Sequence, residues 1–421
     1  MRDGPVAIVG GGPAGLAAAV ELRRRGVGQV VVIERESQAG GIPRHARHQG
    51  FGLRDLRRPL SGPAYARRYV ELARAAGVDV LTETMATGWA NRARGAPGAL
   101  ELTSPRGRST LEPAAVVLAT GCRERPRSAR LVPGSRPAGV MTTGMLQQLV
   151  YLHRRPVGRH AVIVGAEHVS FSAILTLAHG GARALALTTE LPRHQTLGAF
   201  RLGARARYGV PVWTRTRLSE IRGRERVEEV ELTDLNSGRA RSLACDTVVF
   251  SADWVPDHEL PVVAGIELDE LTRGPAVDPG LRTSRPGVFA AGNLLHGAEQ
   301  ADVAGLSGRH VAASVTAYLS DGDWPMHRLR VICEPPLGWI APNVLTGPGS
   351  SSPARGHFAL RAFAHLRGAR VEAVQDERVL WSGRLPRVMP GRSVRLPANW
   401  IAAVETGGGP VTVRLTFAGD G

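Results

Sequence analysis

Six residues near the start of the chain, Gly10-Gly11-Gly12-Pro13-Ala14-Gly15, make up a turn suited to holding a diphosphate. Gly10 permits the tight turn, Gly12 lets backbone approach the phosphates, and Gly15 lets a following helix pack against a strand. Glu34 stands close to the expected ~20 residues further on, where a carboxylate accepts hydrogen bonds from a ribose. It would also repel a ribose 2′-phosphate. The elements that must position these residues are legible on either side. Val6 to Val9 is a short apolar run that reads as a buried strand. Leu16 to Arg25 reads as a helix, with Arg23, Arg24 and Arg25 at the end where cations suit its dipole. Val30 to Ile33 reads as a second strand. Strand, glycine turn, helix, strand and acid together are the order of a dinucleotide-binding unit, with unpaired N–H groups at the helix start aimed at phosphate.

The pattern has one internal echo. Ala161 to Val164 reads as a strand, Gly165-Ala166-Glu167-His168-Val169-Ser170 as a turn, and a helix runs on to about Ala178. A strand over Ala184 to Leu187 and Glu190 follow. Here Glu167 replaces the second glycine and Ser170 the third. A carboxylate at that point opposes a diphosphate both sterically and by charge. The spacing therefore predicts a second Rossmann-type domain with its nucleotide site weakened or lost; a rearranged loop that still binds NAD(P)H is the alternative. His168 reads as structural.

Composition narrows the class. The 421 residues are 43% hydrophobic and 21% charged, enough for two or three domains with a large core. No apolar run approaches the ~20 residues of a membrane span. The first strand starts almost at Met1, which leaves no room for a signal peptide, so a cytoplasmic protein is expected. The net charge is +16 and the sequence contains no Lys. The arginines are scattered rather than gathered with aromatics, which argues against a nucleic-acid platform. A cationic surface of this kind could steer an acidic protein partner into contact. Cys122, Cys245 and Cys333 are the only cysteines. They lie far apart, with no Cys-x-x-Cys pair and no cluster for zinc or iron–sulfur, so no metal site is expected.

Further along, Gly40 and Gly41 suit a loop that passes close to a second phosphate or a cofactor ring. Gly62 to Ala76 reads as a helix with Tyr65, Tyr69, Val70 and Leu72 on its apolar side. Ala114 to Ala119 is a strand that ends in Thr120-Gly121-Cys122. Residues 286–293 form another, ending in Gly292-Asn293, with a helix from about Asp302 to Leu319 behind it. Beyond Pro325, short strand-like segments separated by Gly and Pro read as a small β-rich domain. The expected fold class is α/β: a first Rossmann-like nucleotide-binding domain in two parts (1–145 and 256–324), an inserted second Rossmann-like domain (146–255) and a β-rich domain (325–421); the resemblance given next makes the first FAD-binding and the second NAD-type.

Three separated motifs, Gly10 to Gly15 with Glu34, Ala119-Thr120-Gly121 and Ala291-Gly292-Asn293, resemble the two-dinucleotide-binding-domain flavoproteins of the pyridine nucleotide–disulfide oxidoreductase superfamily. The resemblance covers about residues 5–320. It implies FAD, held at Gly10, Gly12, Pro13, Ala14 and Gly15, with Glu34 and Arg35 at the adenosine ribose. Gly40 and Gly41 would line the way to the flavin, and Ala119, Thr120 and Gly121 would pack beside it. Gly292 and Asn293 stand where the family commonly bonds the ribityl chain, Asn293 replacing an Asp. Asp302 and Val303 begin a helix whose N-terminus would face the flavin.

Gly41-Ile42, Gly50-Phe51-Gly52-Leu53, Ser61 to Ala66, Gly121 to Arg125 and Gly134 to Gly139 are similar to a narrower group. These are flavoproteins found beside glycerol-3-phosphate-dehydrogenase-like partners and, more distantly, the flavoprotein subunits of opine oxidase and hydrogen cyanide synthase. That likeness implies one component of a complex that takes electrons from a small amine or alcohol and passes them on. Two departures stand out. Pro43 and His48 occupy the usual positions of the redox cysteines, and the second fingerprint is altered. His45 and His48 lie on the loop expected over the flavin, where an imidazole could carry protons. The sequence therefore predicts an FAD-dependent oxidoreductase with a small-molecule substrate and protein partner subunits, NAD(P) being doubtful. An NAD(P)H-dependent flavin reductase and a non-catalytic FAD-binding scaffold are the alternatives.

Overall fold

The computed structural model describes residues 3–90, 97–347 and 351–417. Two five-stranded parallel sheets organise it, each in its own compact unit. One unit comprises residues 1–44, 49–122 and 256–421; the other comprises 45–48 and 123–255.

In the first unit the strand order is Val288–Ala290, Ala115–Leu118, Val6–Val9, Val30–Ile33, Asp79–Leu81. Every neighbouring pair is parallel, with Val6 opposite both Val30 and Ala115. The four central strand residues Val6, Ala7, Ile8 and Val9 are all buried, as expected for a strand covered on both faces. The first helix runs Pro13–Arg24, with Pro at its start and Arg23 and Arg24 in its last turn. Arg23 does more than complement the dipole: its guanidinium donates to the carbonyls of Ala76 and Val27, both at 2.8 Å.

The long helix Ala301–Asp321 packs closely along the Pro13–Arg24 helix. Glycine makes this approach possible. A Cβ on Gly308 would sit 2.0 Å from the Ala14 carbonyl oxygen, and one on Gly292 would sit 2.6 Å from the Ala14 Cβ.

The second unit repeats the plan: Val140–Thr142, Thr247–Phe250, His160–Val164, Arg183–Thr188, Val212–Trp213, again all parallel. Both units also carry a three-stranded antiparallel sheet, Met85–Ala90, Ala99–Ser104 and Gly107–Leu111 in the first and Thr216–Arg222, Glu229–Asp234 and Ala240–Ala244 in the second. The strand Val140–Thr142 hydrogen-bonds to Thr247–Phe250 and so belongs to the second sheet, within the unit that takes in residues 123–255.

Residues beyond 325 form a five-stranded and a three-stranded sheet around a core that includes Phe358 stacked on Trp400 at 4.9 Å. They group with the first unit. Polar bonds explain the attachment. The Asn343 side chain accepts from the Val277 N–H at 2.9 Å, and Arg328 donates to the carbonyls of Ala276 and Thr283. Trp339 stacks on the buried His296 ring at 4.5 Å. Among the described residues no helix is long and apolar enough to cross a membrane.

Because backbone rather than a flexible side chain meets the added atom, Gly308→Ala must push the two helices apart. A loss of roughly 2–4 kcal/mol is expected, read as a lowered thermal midpoint. Unchanged stability would contradict the close-packing account.

Candidate functional site

The glycine turn separates into positions that the protein itself requires and one that it does not. Gly10 has φ +112°, and a Cβ there would lie 2.4 Å from the Ala119 carbonyl oxygen. A Cβ on Gly15 would lie 1.9 Å from the Gly10 carbonyl oxygen. Both are demanded by packing. Gly12 is different. Its backbone is extended (φ −82°, ψ −174°), and the nearest atom to an added Cβ is 3.9 Å away, the Cα of Gly41. Neither strain nor crowding asks for glycine at Gly12, so the free space along its backbone is available to a ligand. The helix start beside it has no side-chain cap and no acidic residue in its first turn. Its N–H groups and dipole are left for an anion.

Gly40 and Gly41 complete the cradle. The Gly40 N–H donates to the Gly11 carbonyl at 2.7 Å, and Gly41 lies against Gly12. Glu34 is buried and holds the turn in shape. Its two carboxylate oxygens accept from the Gly11 N–H at 3.0 Å and the Glu36 N–H at 2.9 Å. Burial raises its pKa, and the two N–H donors oppose that rise. Each oxygen keeps a lone pair for a ribose hydroxyl. Arg35 is exposed and lies 3.7 Å from the Asp257 carboxylate.

On the opposite side of the turn, the Ala119 N–H donates to the Val9 carbonyl, fixing the strand end. The Thr120 hydroxyl donates to the Asp257 carbonyl at 2.8 Å, and the Asp257 N–H returns to the Gly121 carbonyl at 2.9 Å. Asn293 does not leave its amide free. Its Oδ1 accepts from the Glu299 N–H at 3.0 Å and its Nδ2 donates to the Glu299 carbonyl at 3.1 Å. It staples the loop that leads into the long helix. Asp302, in the first turn of that helix, is buried and accepts from the Arg54 N–H at 3.1 Å and from its guanidinium. The Val303 N–H donates to Gln300, closing the first turn.

Next to this turn lies a buried network that sequence reading missed. Tyr65 and Tyr69, one helical turn apart, both donate to one oxygen of Asp55, at 2.5 and 2.7 Å. Arg309 donates to the Asp55 carbonyl and the Tyr69 hydroxyl. Burial raises both phenol pKa values and keeps the hydroxyls protonated as donors. The spacing showed an apolar helix face; nothing in it disclosed that two hydroxyls converge on one carboxylate.

In the second unit the equivalent helix start is filled from within. Glu167 precedes the His168–His179 helix and forms a reciprocal capping box with Ser170, whose hydroxyl accepts from the Glu167 N–H at 3.1 Å. Ser170 also donates to Ser251 at 2.9 Å. His45 is buried, its Nδ1 3.4 Å from the Gln147 side-chain oxygen, whereas His48 is exposed; both belong to the second unit. Glu124 is buried too, accepting from the N–H groups of Gly144 at 2.7 Å and Ala252 at 3.2 Å. Burial dominates and pushes its pKa up to about 7.

Fold and site together define a protein with two dinucleotide-binding units, one cradle open and the other self-capped. The chain belongs to the pyridine nucleotide-disulphide oxidoreductase family, whose profile matches residues 4–308. It is an FAD-dependent oxidoreductase by that membership. It is 28% identical over 354 residues to a putative glutamate synthase [NADPH] small chain of Cereibacter sphaeroides, covering 76% of this chain and 78% of that one. It is 29% identical to the A subunit of opine oxidase from Agrobacterium tumefaciens, over 71% of this chain and 63% of the relative. Its fold matches thioredoxin reductase from T. acidophilum with a TM-score of 0.61 at 22% identity, over 75% of this chain and 99% of the other. The open edge at Gly12 and the carboxylate of Glu34 fit FAD.

Two outcomes follow. Gly12→Val should cost only about 1 kcal/mol of stability, the helix N-cap penalty, yet abolish retention of FAD. Gly10→Val should fail to fold. Equal flavin content in Gly12→Val and the parent would refute the assignment. For Glu124, the raised pKa means that folding takes up a proton. The stabilisation is present below pH 4.5 and is lost as pH rises through about 7. Glu124→Gln should remove on the order of 3 kcal/mol of that pH dependence, measured by denaturant unfolding at pH 5 and pH 7.5.

Proposed function

We propose that the chain is the flavoprotein subunit of a dehydrogenase or oxidase complex. It takes a hydride from a small amine or alcohol at FAD and passes the electrons to a partner, without a redox disulfide. The observation that carries this is the contrast between the two helix starts: one is bare beside Gly12, the other is occupied by Glu167. When bound, FAD supplies two-electron acceptance. Gly12, Gly41 and the first turn of the Pro13–Arg24 helix would hold its diphosphate, Glu34 its ribose, and Gly121 and the start of the Ala301–Asp321 helix its ring end. Membership of a complex is supported by relatives named as a small chain and as an A subunit. The absence of disulfide chemistry is supported by Pro43 and His48 at the expected cysteine positions and by the wide spacing of Cys122, Cys245 and Cys333 in the sequence. The domain limits 1–145, 146–255, 256–324 and 325–421 describe the same chain by its sequence punctuation. Burial of His45 against Gln147 favours a packing role over proton transfer.

A second reading is an NAD(P)H-dependent flavin reductase. It is favoured by relatives whose names specify NADPH or NADP, including the glutamate synthase small chain and an Ignicoccus hospitalis ferredoxin–NADP reductase. Against it, the Glu167 carboxylate sits where a diphosphate would need N–H donors.

Anaerobic mixing with NADH and NADPH separates the two. The purified protein should be yellow with near-stoichiometric flavin. Its flavin should bleach slowly or not at all with either nucleotide, and Glu167→Gly should strengthen any residual nicotinamide binding. Fast bleaching of the parent protein would establish the reductase instead, and a colourless preparation that refuses FAD would remove both.

A further inference from the structure

The buried network of Asp55, Tyr65 and Tyr69 takes no part in the glycine cradle, and its far side is the long helix. Tyr65 and Tyr69 lie on the Gly62–Ala75 helix with their rings edge to face at 5.1 Å, and both hydroxyls meet Oδ2 of Asp55. The other Asp55 oxygen accepts from the Leu56 N–H at 2.8 Å. Three points on the Ala301–Asp321 helix meet this group. The Tyr65 hydroxyl lies 3.2 Å from the Ala301 carbonyl oxygen. Gly305 presents bare backbone: a Cβ there would lie 2.9 Å from Asp55 Oδ2, 3.0 Å from the Tyr69 hydroxyl and 3.2 Å from the Tyr65 hydroxyl. Arg309 donates to the Asp55 carbonyl at 3.0 Å and to the Tyr69 hydroxyl at 3.3 Å. Ala301, Gly305 and Arg309 are spaced by four and so share one face of the helix. Beside that face, Asp302 accepts from the N–H of Arg54, the neighbour of Asp55, at 3.1 Å.

Stability alone does not call for this chemistry. Apolar side chains of similar volume often serve a buried contact as well or better, because buried charges carry a desolvation penalty. What apolar contacts lack is direction. Two phenols, a carboxylate and a guanidinium, each bound at a set angle, hold a helix against sliding and rotation. Asp55 and Asp302 are matched by Arg309 and Arg54, so the network brings no net charge to the helix start. Ala301 and Asp302 belong to the first turn, the end whose N–H groups lack partners within the helix.

We propose that Asp55, Tyr65, Tyr69 and Arg309 are positioning residues that fix the Ala301–Asp321 helix against the ring end of FAD and so set its reduction potential. This rests on the flavoprotein reading above. The four residues act through the helix start, whose N–H groups favour the negative charge that two-electron reduction brings to the ring.

The test is the reduction potential of the FAD-loaded protein, read by anaerobic reduction with dithionite beside a dye of known potential. The Tyr65→Phe, Tyr69→Phe double variant should disfavour the reduced state about tenfold, a fall of about 30 mV for a two-electron couple. Tyr69→Phe alone should give a smaller fall, and it carries the test if the double variant does not fold. Asp55→Asn keeps an oxygen for the phenols and should stay at or above the parent potential. Val371→Ala, a fully buried position of the β-rich sheets, should lower the thermal midpoint and leave the potential as it is. FAD-loaded Tyr69→Phe with the parent's potential, or an equal fall in Val371→Ala, would overturn the proposal and leave the flavoprotein reading standing. A parent protein that takes up no FAD would remove both.

Discussion

The close approach of backbone to backbone at glycine is the constraint on which the rest depends. Gly15 seats the first helix against the Gly10 carbonyl, and Gly308 and Gly292 let the long helix reach Ala14. A methyl group at these points would meet backbone or the Ala14 side chain. Because these contacts fix the helix and the turn, Gly12 can stay open without losing its shape. Glu34 adds the polar half of the same constraint. One oxygen holds the N–H of Gly11 and the other that of Glu36, so the carboxylate that is expected to meet a ribose also holds the turn. Rigidity here has a purpose, since a preformed cradle spends less ordering entropy when its ligand arrives.

The two units show how one plan can carry two electrostatic outcomes. Both have a strand, a turn and a helix start that offers N–H groups. In the first, no side chain among the described residues caps the helix start. In the second, Glu167 and Ser170 do. A helix terminus stabilises one negative group nearby. When that group is built into the chain, the helix start is satisfied from within.

The β-rich region has more than a packing part. Trp339 stacks on His296, and Arg361 donates to the Ala298 carbonyl, so this region braces the loop 293–300 that Asn293 also staples. Burial lowers the pKa of His296, which keeps the ring neutral beneath Trp339. The loop that opens the long helix is thereby held from both sides, and Arg54 clamps Asp302 from a third direction.

Much of this was determined by local chemistry and is legible in the sequence. Glycine spacing, four-residue apolar runs and the acid at Glu34 define each βαβ unit, because such units are held by short-range backbone geometry and by strands buried on both faces. The replacement of glycine by Glu167 is equally local. What only the tertiary structure decided are the contacts between residues far apart in the chain. Asp302 with Arg54, Tyr65 and Tyr69 with Asp55 and Arg309, and Asn293 with its own loop have no periodic signature, since a polar partner is chosen by proximity in space rather than by spacing. The same holds for the start of the second unit at Arg123. Within that unit Val140–Thr142 pairs with Thr247–Phe250, a long-range hydrogen-bond pattern that hydrophobicity alone does not encode.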